Sequence, residues 1–381
     1  MIYLDNAATS FPKPRSVIEE TMRCMRFYCG NAGRGSHQLA LAAAERIYEC
    51  RLQIARLFDF PSPERVCFTL NATAAINSAI KGILKQGDHV LISDMEHNAV
   101  LRPIHKLCEE GVISYDVFPS FAGMSDKGET QITTAIARLI RPNTRMLICT
   151  HASNVCSFSF PIASIGRLCR KKGVLFMVDA AQSAGHLPIS MEQMEIDVLC
   201  APSHKGLLGP QGCGVLLLRD DIPCNTLVEG GSGYQSLLLE MPTDYPERME
   251  AGTLPTPAIV GLSVGARTVS EIGVEEILRH ETRLYDRLLE RITSLPDTFV
   301  LAPQERGPVL SFYSTHRTAD EIGRALDQRG ICARTGFHCA ALPHKTLGTP
   351  ESGAVRVSTG VFNTDADIDA LYLALREILS T

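Results

Sequence analysis

An α/β fold, with a mostly parallel sheet covered by helices on both faces and a smaller α+β domain after it, is predicted for this 381-residue chain. Between about residues 66 and 220, short β-rich runs alternate with amphipathic stretches of helix length. Beyond about residue 265 the texture changes to a long charged helix pattern. The length also exceeds that at which one core keeps growing, so two domains are expected. In order, 65–70 reads as a strand before a helix at 74–84, 89–93 as a strand before a helix at 99–110, and 146–150 as a strand before a helix at 162–172. The apolar run 173–178, the strand 197–200 and the run 212–218 continue the sheet. A helix at 270–294, a strand at 308–313 and a terminal helix from Asp365 make up the smaller domain.

Composition narrows the function classes. Hydrophobic residues are 45% and charged residues 21%, an ordinary globular balance with ample core material. A net charge of −5 with no long Lys/Arg block argues against nucleic acid or an anionic membrane as partner. No apolar run reaches spanning length and the amino terminus lacks the order of a signal peptide, so a cytoplasmic location is expected. The thirteen cysteines are odd in number and scattered through apolar segments such as Val66-Cys67-Phe68, which reads as core packing rather than a disulfide framework. Cys24 and Cys29, Cys149 and Cys156, and Cys332 and Cys339 are each too far apart for a C-x-x-C knuckle, and no metal site is assigned.

Lys205 lies in Ser203-His204-Lys205-Gly206-Leu207-Leu208-Gly209-Pro210, a Gly-rich turn between two apolar strands. A lysine there is well placed for a Schiff base with an aldehyde cofactor. Asp179 ends the buried run at 173–178, at the carboxyl edge where open α/β sheets bind ligands. Singly, the first reads as a solvated turn residue and the second as a helix N-cap. Together they suggest pyridoxal phosphate, which needs a lysine and an acid to keep its pyridine nitrogen protonated.

Four segments then carry a resemblance: Tyr3-Leu4-Asp5-Asn6-Ala7-Ala8-Thr9, Asp179-Ala180-Ala181-Gln182, Ser203-His204-Lys205 and Arg334-Thr335-Gly336-Phe337-His338-Cys339-Ala340. They resemble landmarks of the class V aminotransferase family, and within it the cysteine desulfurases. With its other matches the resemblance runs in family order from residue 3 to about residue 364. It implies the fold-type I pyridoxal-phosphate transferase fold, with a seven-stranded sheet in a large domain (15–265) and a small domain formed by 1–14 and 266–381. The short connection from Cys339 to Arg356, seventeen positions, resembles the type II, SufS-like branch that also holds selenocysteine lyases.

The residues themselves suggest several roles that the resemblance sharpens. Asn71-Ala72-Thr73, between a strand and a helix, offers backbone donors and a hydroxyl to a phosphate, although Thr73 reads equally as an N-cap. The resemblance implies the phosphate role for Ala72 and Thr73, adds Ser203 and His204, and implies that Thr253 of a partner subunit completes the cup in a homodimer. His97 follows the strand at 89–93, and the family's Glu-His motif implies that it stacks on the cofactor and shuttles a proton. Asn154 and Gln182 resemble side chains that bond the substrate carboxylate or the cofactor's phenolic oxygen. Arg356 alternates with apolar neighbours and carries a planar fork suited to an α-carboxylate. A surface arginine is the other reading, and the resemblance implies the substrate role.

Cys339 sits in a polar, Gly-flanked loop beside His338 and near Arg334, a setting that favours the thiolate. The activity implied is conversion of L-cysteine to L-alanine, with the sulfur left as a persulfide on Cys339 and passed to an acceptor protein or thiol, as in iron–sulfur cluster assembly. Two departures from the family pattern bear on substrate preference: Asn71-Ala72-Thr73 where Gly-Thr-Thr is typical, and Phe337 where a second histidine is common. A selenocysteine lyase, an amine-transferring enzyme in which Cys339 is incidental, and a non-catalytic scaffold are the competing readings. Intact Lys205, Asp179 and Cys339 weaken the last.

Overall fold

The computed structural model describes residues 1–33, 35–124 and 128–380. The chain opens with a two-residue strand, β1 (Ile2–Tyr3), and helices α1 (Arg15–Phe27) and α2 (Gln38–Leu57), which precede the alternation read from the sequence. Strand–helix units follow: β2 (Val66–Thr69) and α3 (Ala72–Ile83), β3 (Asp88–Ser93) and α4 (Asn98–Glu109), β4 (Ile113–Phe118) and α5 (Glu129–Leu139), β5 (Thr144–Thr150) and α6 (Ile162–Lys172). Strands β6 (Leu175–Asp179), β7 (Val198–Pro202) and β8 (Gly214–Leu218) complete a seven-stranded sheet in the order β2-β8-β7-β6-β5-β3-β4. Only β8 runs against its neighbours, so the sheet is mostly parallel, as expected.

Burial explains why its strands read as nearly continuous apolar runs. Leu147 and Cys149 of β5 pack on one face with Ile54 of α2, Ile136 of α5, Ile165 of α6 and Leu262 of the later helix at 256–272. Met146 and Ile148 pack on the other with Ile76 and Ile80 of α3 and Val100 and Ile104 of α4. Because successive side chains point to opposite faces and both faces are covered, each position must be apolar. Each such side chain contributes about 1.5–3 kcal/mol of transfer free energy. Cys67, Cys149, Cys200 and Cys213 sit fully buried in these layers, where burial pushes their thiols well above the usual range.

The helix expected at 270–294 covers α8 (Val274–Thr293) and only the last turn of a preceding helix, α7 (Thr256–Ile272), which the sequence pattern did not mark. Gly273 parts them at φ 91, a backbone conformation that side chains disfavour. Strands β9 (Thr298–Val300) and β10 (Val309–Ser314), helix α9 (Ala319–Asp327), strands β11 (Ile331–Cys332) and β12 (Arg334–Gly336), helix α10 (Ala341–Thr346), strand β13 (Ala354–Ser358) and helix α11 (Asp365–Ser380) follow. They form an antiparallel sheet, β12-β13-β10-β9, against α8, α9 and α11. β1 pairs in parallel with β11, and Leu4 is buried in this second core.

After β3 the chain moves outward to β4, and after β5 it moves the other way to β6, so the gap between the carboxyl ends of β3 and β5 is the topological switch point. Glu96 closes the floor of that gap. Its Oε1 accepts hydrogen bonds from Ser93 Oγ at the end of β3 and from the Thr150 amide, 2.7 Å away, at the end of β5. The side chain is fully buried, Oε2 has no partner among the described residues, and burial pushes its pKa up to about 8, opposed by these hydrogen bonds.

Between the ordinary carboxylate range and about pH 8, Glu96 is protonated when folded and ionised when unfolded, so stability is lost as pH rises through that window. Glu96→Gln removes this loss. Its thermal midpoint, measured against the unsubstituted protein, is expected to stand higher at pH 8 than at pH 5, and an equal difference at both would show that Glu96 ionises freely in the fold.

Candidate active site

A pocket opens at the switch point, lined among others by Ala72, Thr73, His97, Asn154, Asp179, Gln182, His204 and Lys205. Eight of the residues singled out from the sequence therefore meet in one place although they come from segments between residues 72 and 205. Asn71, of the same segment as Ala72 and Thr73, also lines it, as do Thr150, Ala152, Ala181 and Pro202, to which no role was assigned from the sequence. Their signal was position: each lies at or just past the carboxyl end of a sheet strand.

Lys205 follows β7 in a tight turn, with the Leu208 amide donating to the Lys205 carbonyl at 2.8 Å and the Gly209 amide to the Ser203 carbonyl at 2.9 Å. Gly206 is required here, because a Cβ would lie 2.3 Å from the Ala184 carbonyl oxygen. Burial lowers the Lys205 pKa to about 8, opposed by Asp179 and reinforced by Arg356 and Arg334. Asp179 is buried at the end of β6, and burial raises its carboxyl above the usual range against the Ala181 amide and Lys205, which lower it. A cationic ring nitrogen placed against it would reverse that shift.

His97 caps α4 and also lines the pocket. Its Nδ1 accepts from the Ala99 amide at 3.0 Å, which leaves the neutral ring's proton on Nε2. Burial, then the charges of Lys205, Arg334 and Arg356, lower its pKa to about 4.

The anion-binding end lies at the amino terminus of α3. Asn71 caps the helix by accepting from Ala74 N at 2.9 Å, which leaves the amides of Ala72 and Thr73 without an intrahelical acceptor. β8 presses closely on this turn: a Cβ on Gly214 would stand 2.5 Å from the Asn71 carbonyl carbon. His204 adds a buried Nδ1 with no partner among the described residues. Ser203 does not line the pocket; its orphaned Oγ packs against Gly209. Thr253 is exposed and outside the pocket of its own chain. It follows Glu250, whose carboxylate holds Arg51 through bonds of 2.8 and 2.6 Å and accepts from Phe68 N at 2.6 Å.

Arg356, Arg334 and Cys339 do not line this pocket; they belong to the second sheet and its loops, which join it through Asn154. Arg356, on β13, is 1% exposed and does not face solvent. Its partner, unforeseen in the sequence, is Asp5: Nη2 donates to Asp5 Oδ1 at 2.8 Å, while Nη1 donates to the Asn154 carbonyl at 3.0 Å. Asn154 Nδ2 donates to the His338 carbonyl at 2.7 Å, and Gln182 Nε2 to the Ala7 carbonyl at 2.9 Å. One donor of each amide thus holds a neighbouring loop, leaving its second N–H and its carbonyl oxygen.

Cys339 is exposed on the loop after β12, with Arg334 Nη2 3.9 Å from its sulfur. His338 and Cys339 both adopt left-handed backbone angles, φ 50 and φ 55, at a cost of about 1–3 kcal/mol each. Neighbouring elements hold that turn through Asn154 to the His338 carbonyl, the Asn98 amide to the Cys339 carbonyl at 2.9 Å, and His338 Nδ1 to His344 Nε2 at 3.1 Å. Burial lowers His338 to about 3 and His344 to about 4, so the pair is neutral near pH 7.

Comparison with known proteins places this geometry. The family model for class-V aminotransferases matches residues 2–371. A probable cysteine desulfurase of Methanothermobacter thermautotrophicus is 32% identical over 99% of this chain and 94% of its own, and a cysteine desulfurase of Yersinia pestis is 32% identical over 99% and 93%. The apo structure of a cysteine desulfurase from Thermococcus onnurineus superposes with a TM-score of 0.91 at 28% identity, covering 100% of this chain and 94% of that one. The cysteine desulfurase CsdA from Escherichia coli, an S-sulfonic acid form, gives 0.88 at 26% identity over 99% and 94%. The chain belongs to the class-V aminotransferase family.

Proposed function

We propose that this protein is a pyridoxal-phosphate-dependent cysteine desulfurase that converts L-cysteine to L-alanine and carries the sulfur as a persulfide on Cys339. The observation that carries the reading is the meeting of a partly buried lysine, a buried aspartate and unpaired helix amides in one pocket, together with an exposed thiol on a loop tied to Asn98 and Asn154 beside it. The nearly full-length likeness to cysteine desulfurases supports it.

The residues fit the cofactor. Lys205 would hold its aldehyde carbon, Asp179 its ring nitrogen, and the Ala72 and Thr73 amides with His204 its phosphate. When bound, pyridoxal phosphate supplies an electron sink for the bonds at the substrate α-carbon. His97, neutral at pH 7, would lie beside the cofactor and could move a proton without adding charge. Lys205, with a pKa of about 8, is an amine able to take the α-proton once substrate has released it. Arg356 holds the α-carboxylate, and Asn154 and Gln182 contribute their remaining amide donors.

The Cys339 thiolate, with Arg334 at its sulfur, attacks the substrate sulfur. An S–S bond forms as the Cβ–S bond breaks, and the bonding pair stays with the carbon that becomes the alanine methyl group after protonation. Exposure of Cys339 lets an acceptor thiol or protein collect the sulfur, as iron–sulfur cluster assembly requires.

The working unit is a homodimer in the cytoplasm. Ile18, Met22, Met25 and Phe27 of α1 are exposed and offer an apolar face to a second copy, and Thr253, outside its own pocket, would reach the phosphate of that copy. The separate cores of the two sheets support a division into 15–265 and 1–14 with 266–381, its boundary falling inside α7, whose Ala266 still packs in the large core.

Purified protein is expected to be yellow, and Lys205→Ala to lose the visible absorbance of the lysine-bound cofactor; an unchanged spectrum would exclude Lys205 as the attachment point. Cofactor uptake by the unsubstituted apoprotein should quicken as pH rises through about 8, where the amine loses its proton. Cys339→Ala is expected to retain cofactor and bind cysteine while turnover falls to background. Mass spectrometry after exposure to cysteine without reductant should place one added sulfur on the peptide containing Cys339. Sulfur on another cysteine, or alanine release by Cys339→Ala at the original rate, would remove Cys339 from the mechanism. A monomer that holds the cofactor fully at working concentration would likewise remove Thr253 from the phosphate site.

A further inference from the structure

We infer that Asp5 is a built-in competitor for the substrate carboxylate, bound to Arg356 in the free enzyme and displaced by the incoming α-carboxylate. The inference rests on the reading of Arg356 as the substrate fork. The resting contact is one-pronged: Asp5 Oδ1 takes Arg356 Nη2 at 2.8 Å, Nη1 is held by the Asn154 carbonyl at 3.0 Å, and the buried Nε has no partner among the described residues. A carboxylate seated across Nε and the adjoining Nη would satisfy the orphaned donor, so the exchange gains a hydrogen bond that Asp5 does not make.

The two side chains differ in freedom. The Arg356 side chain is 1% exposed and fixed by Asn154, whereas that of Asp5 is 21% exposed. The Asp5 backbone cannot follow, since it bridges Ser358 and its carbonyl accepts from Ala8 N at 3.0 Å and Tyr3 Oη at 3.2 Å. Displacement is thus a rotation of one short side chain toward solvent.

Charge gives the competitor its use. Arg356 stands directly opposite Arg334 in the β12–β13 pair, and both act on Lys205. Without Asp5, a buried guanidinium beside a second one would stand uncompensated next to the pocket and would capture any small carboxylate. With Asp5 in place, a ligand must also engage the cofactor through its amine to bind firmly, and the carboxylate of the alanine product meets the same competition on its way out.

The test is calorimetric titration of the holoenzyme with L-alanine, and with ethylamine as the carboxylate-free control. Asp5→Asn and Asp5→Ala should each bind L-alanine about tenfold more tightly, the scale of one charge-assisted hydrogen bond, and ethylamine as before. The KM for L-cysteine should fall in both variants without a rise in kcat. Arg356→Gln should weaken L-alanine and leave ethylamine unchanged. Unchanged or weaker L-alanine binding in both Asp5 variants, with Arg356→Gln behaving as stated, would overturn the competitor role alone. Full L-alanine affinity in Arg356→Gln would overturn the substrate role of Arg356, and the inference with it.

Discussion

The carbonyl oxygen of His204, one residue before Lys205, receives hydrogen bonds from the Ser10 amide at 2.9 Å, Lys13 Nζ at 2.9 Å, Thr9 Oγ1 at 3.0 Å and Ser10 Oγ at 3.2 Å. The placement of Lys205 relative to the second sheet depends on this convergence. The same short segment carries Asp5, which holds Arg356, and Ala7, whose carbonyl takes the Gln182 amide. It enters through β1, paired with β11. Residues 2–13 therefore run from the second sheet to the Lys205 turn, and a shift of either end moves the amine relative to the guanidinium. Burial lowers the Lys13 pKa to about 8, the cost of placing an ammonium where it can bond that carbonyl.

Around the pocket, charge is arranged by sign. Lys205, Arg334 and Arg356 supply the positive charge, Asp179 and Asp5 compensate it, and burial strips His97 and His204 of theirs. Such a site suits ligands that bring anionic groups of their own. Neutral imidazoles serve it better than imidazolium, since each added cation would further lower the lysine and further penalise the buried guanidinium.

The thirteen cysteines separate by environment rather than by number. Cys67, Cys149, Cys200 and Cys213 are packing residues of the large sheet, with thiols that burial keeps protonated. Cys339 is exposed, held in a left-handed turn by neighbours from α4, the loop after β5 and α10. The turn is short and anchored on three sides, which confines its sulfur to the neighbourhood of Arg334.

From the sequence alone, the period and length of the apolar runs determined a parallel sheet, because a strand covered on both faces must be apolar at every position, and the Gly-rich turn with the strand-end aspartate pointed to Lys205 and Asp179. The break at Gly273 was not visible, since an amphipathic pattern runs across a glycine whose left-handed backbone appears only in three dimensions. Glu96 lay in plain view in Asp94-Met95-Glu96-His97, yet its role as the brace between β3 and β5 needed the strand order, which no local pattern encodes. Asp5 and Arg356 stand 351 positions apart, and Lys13 and the His204 carbonyl 191. Only tertiary structure decided these pairings, because a buried charge is matched by whatever the folded chain brings within hydrogen-bonding distance, and linear spacing carries no record of that approach.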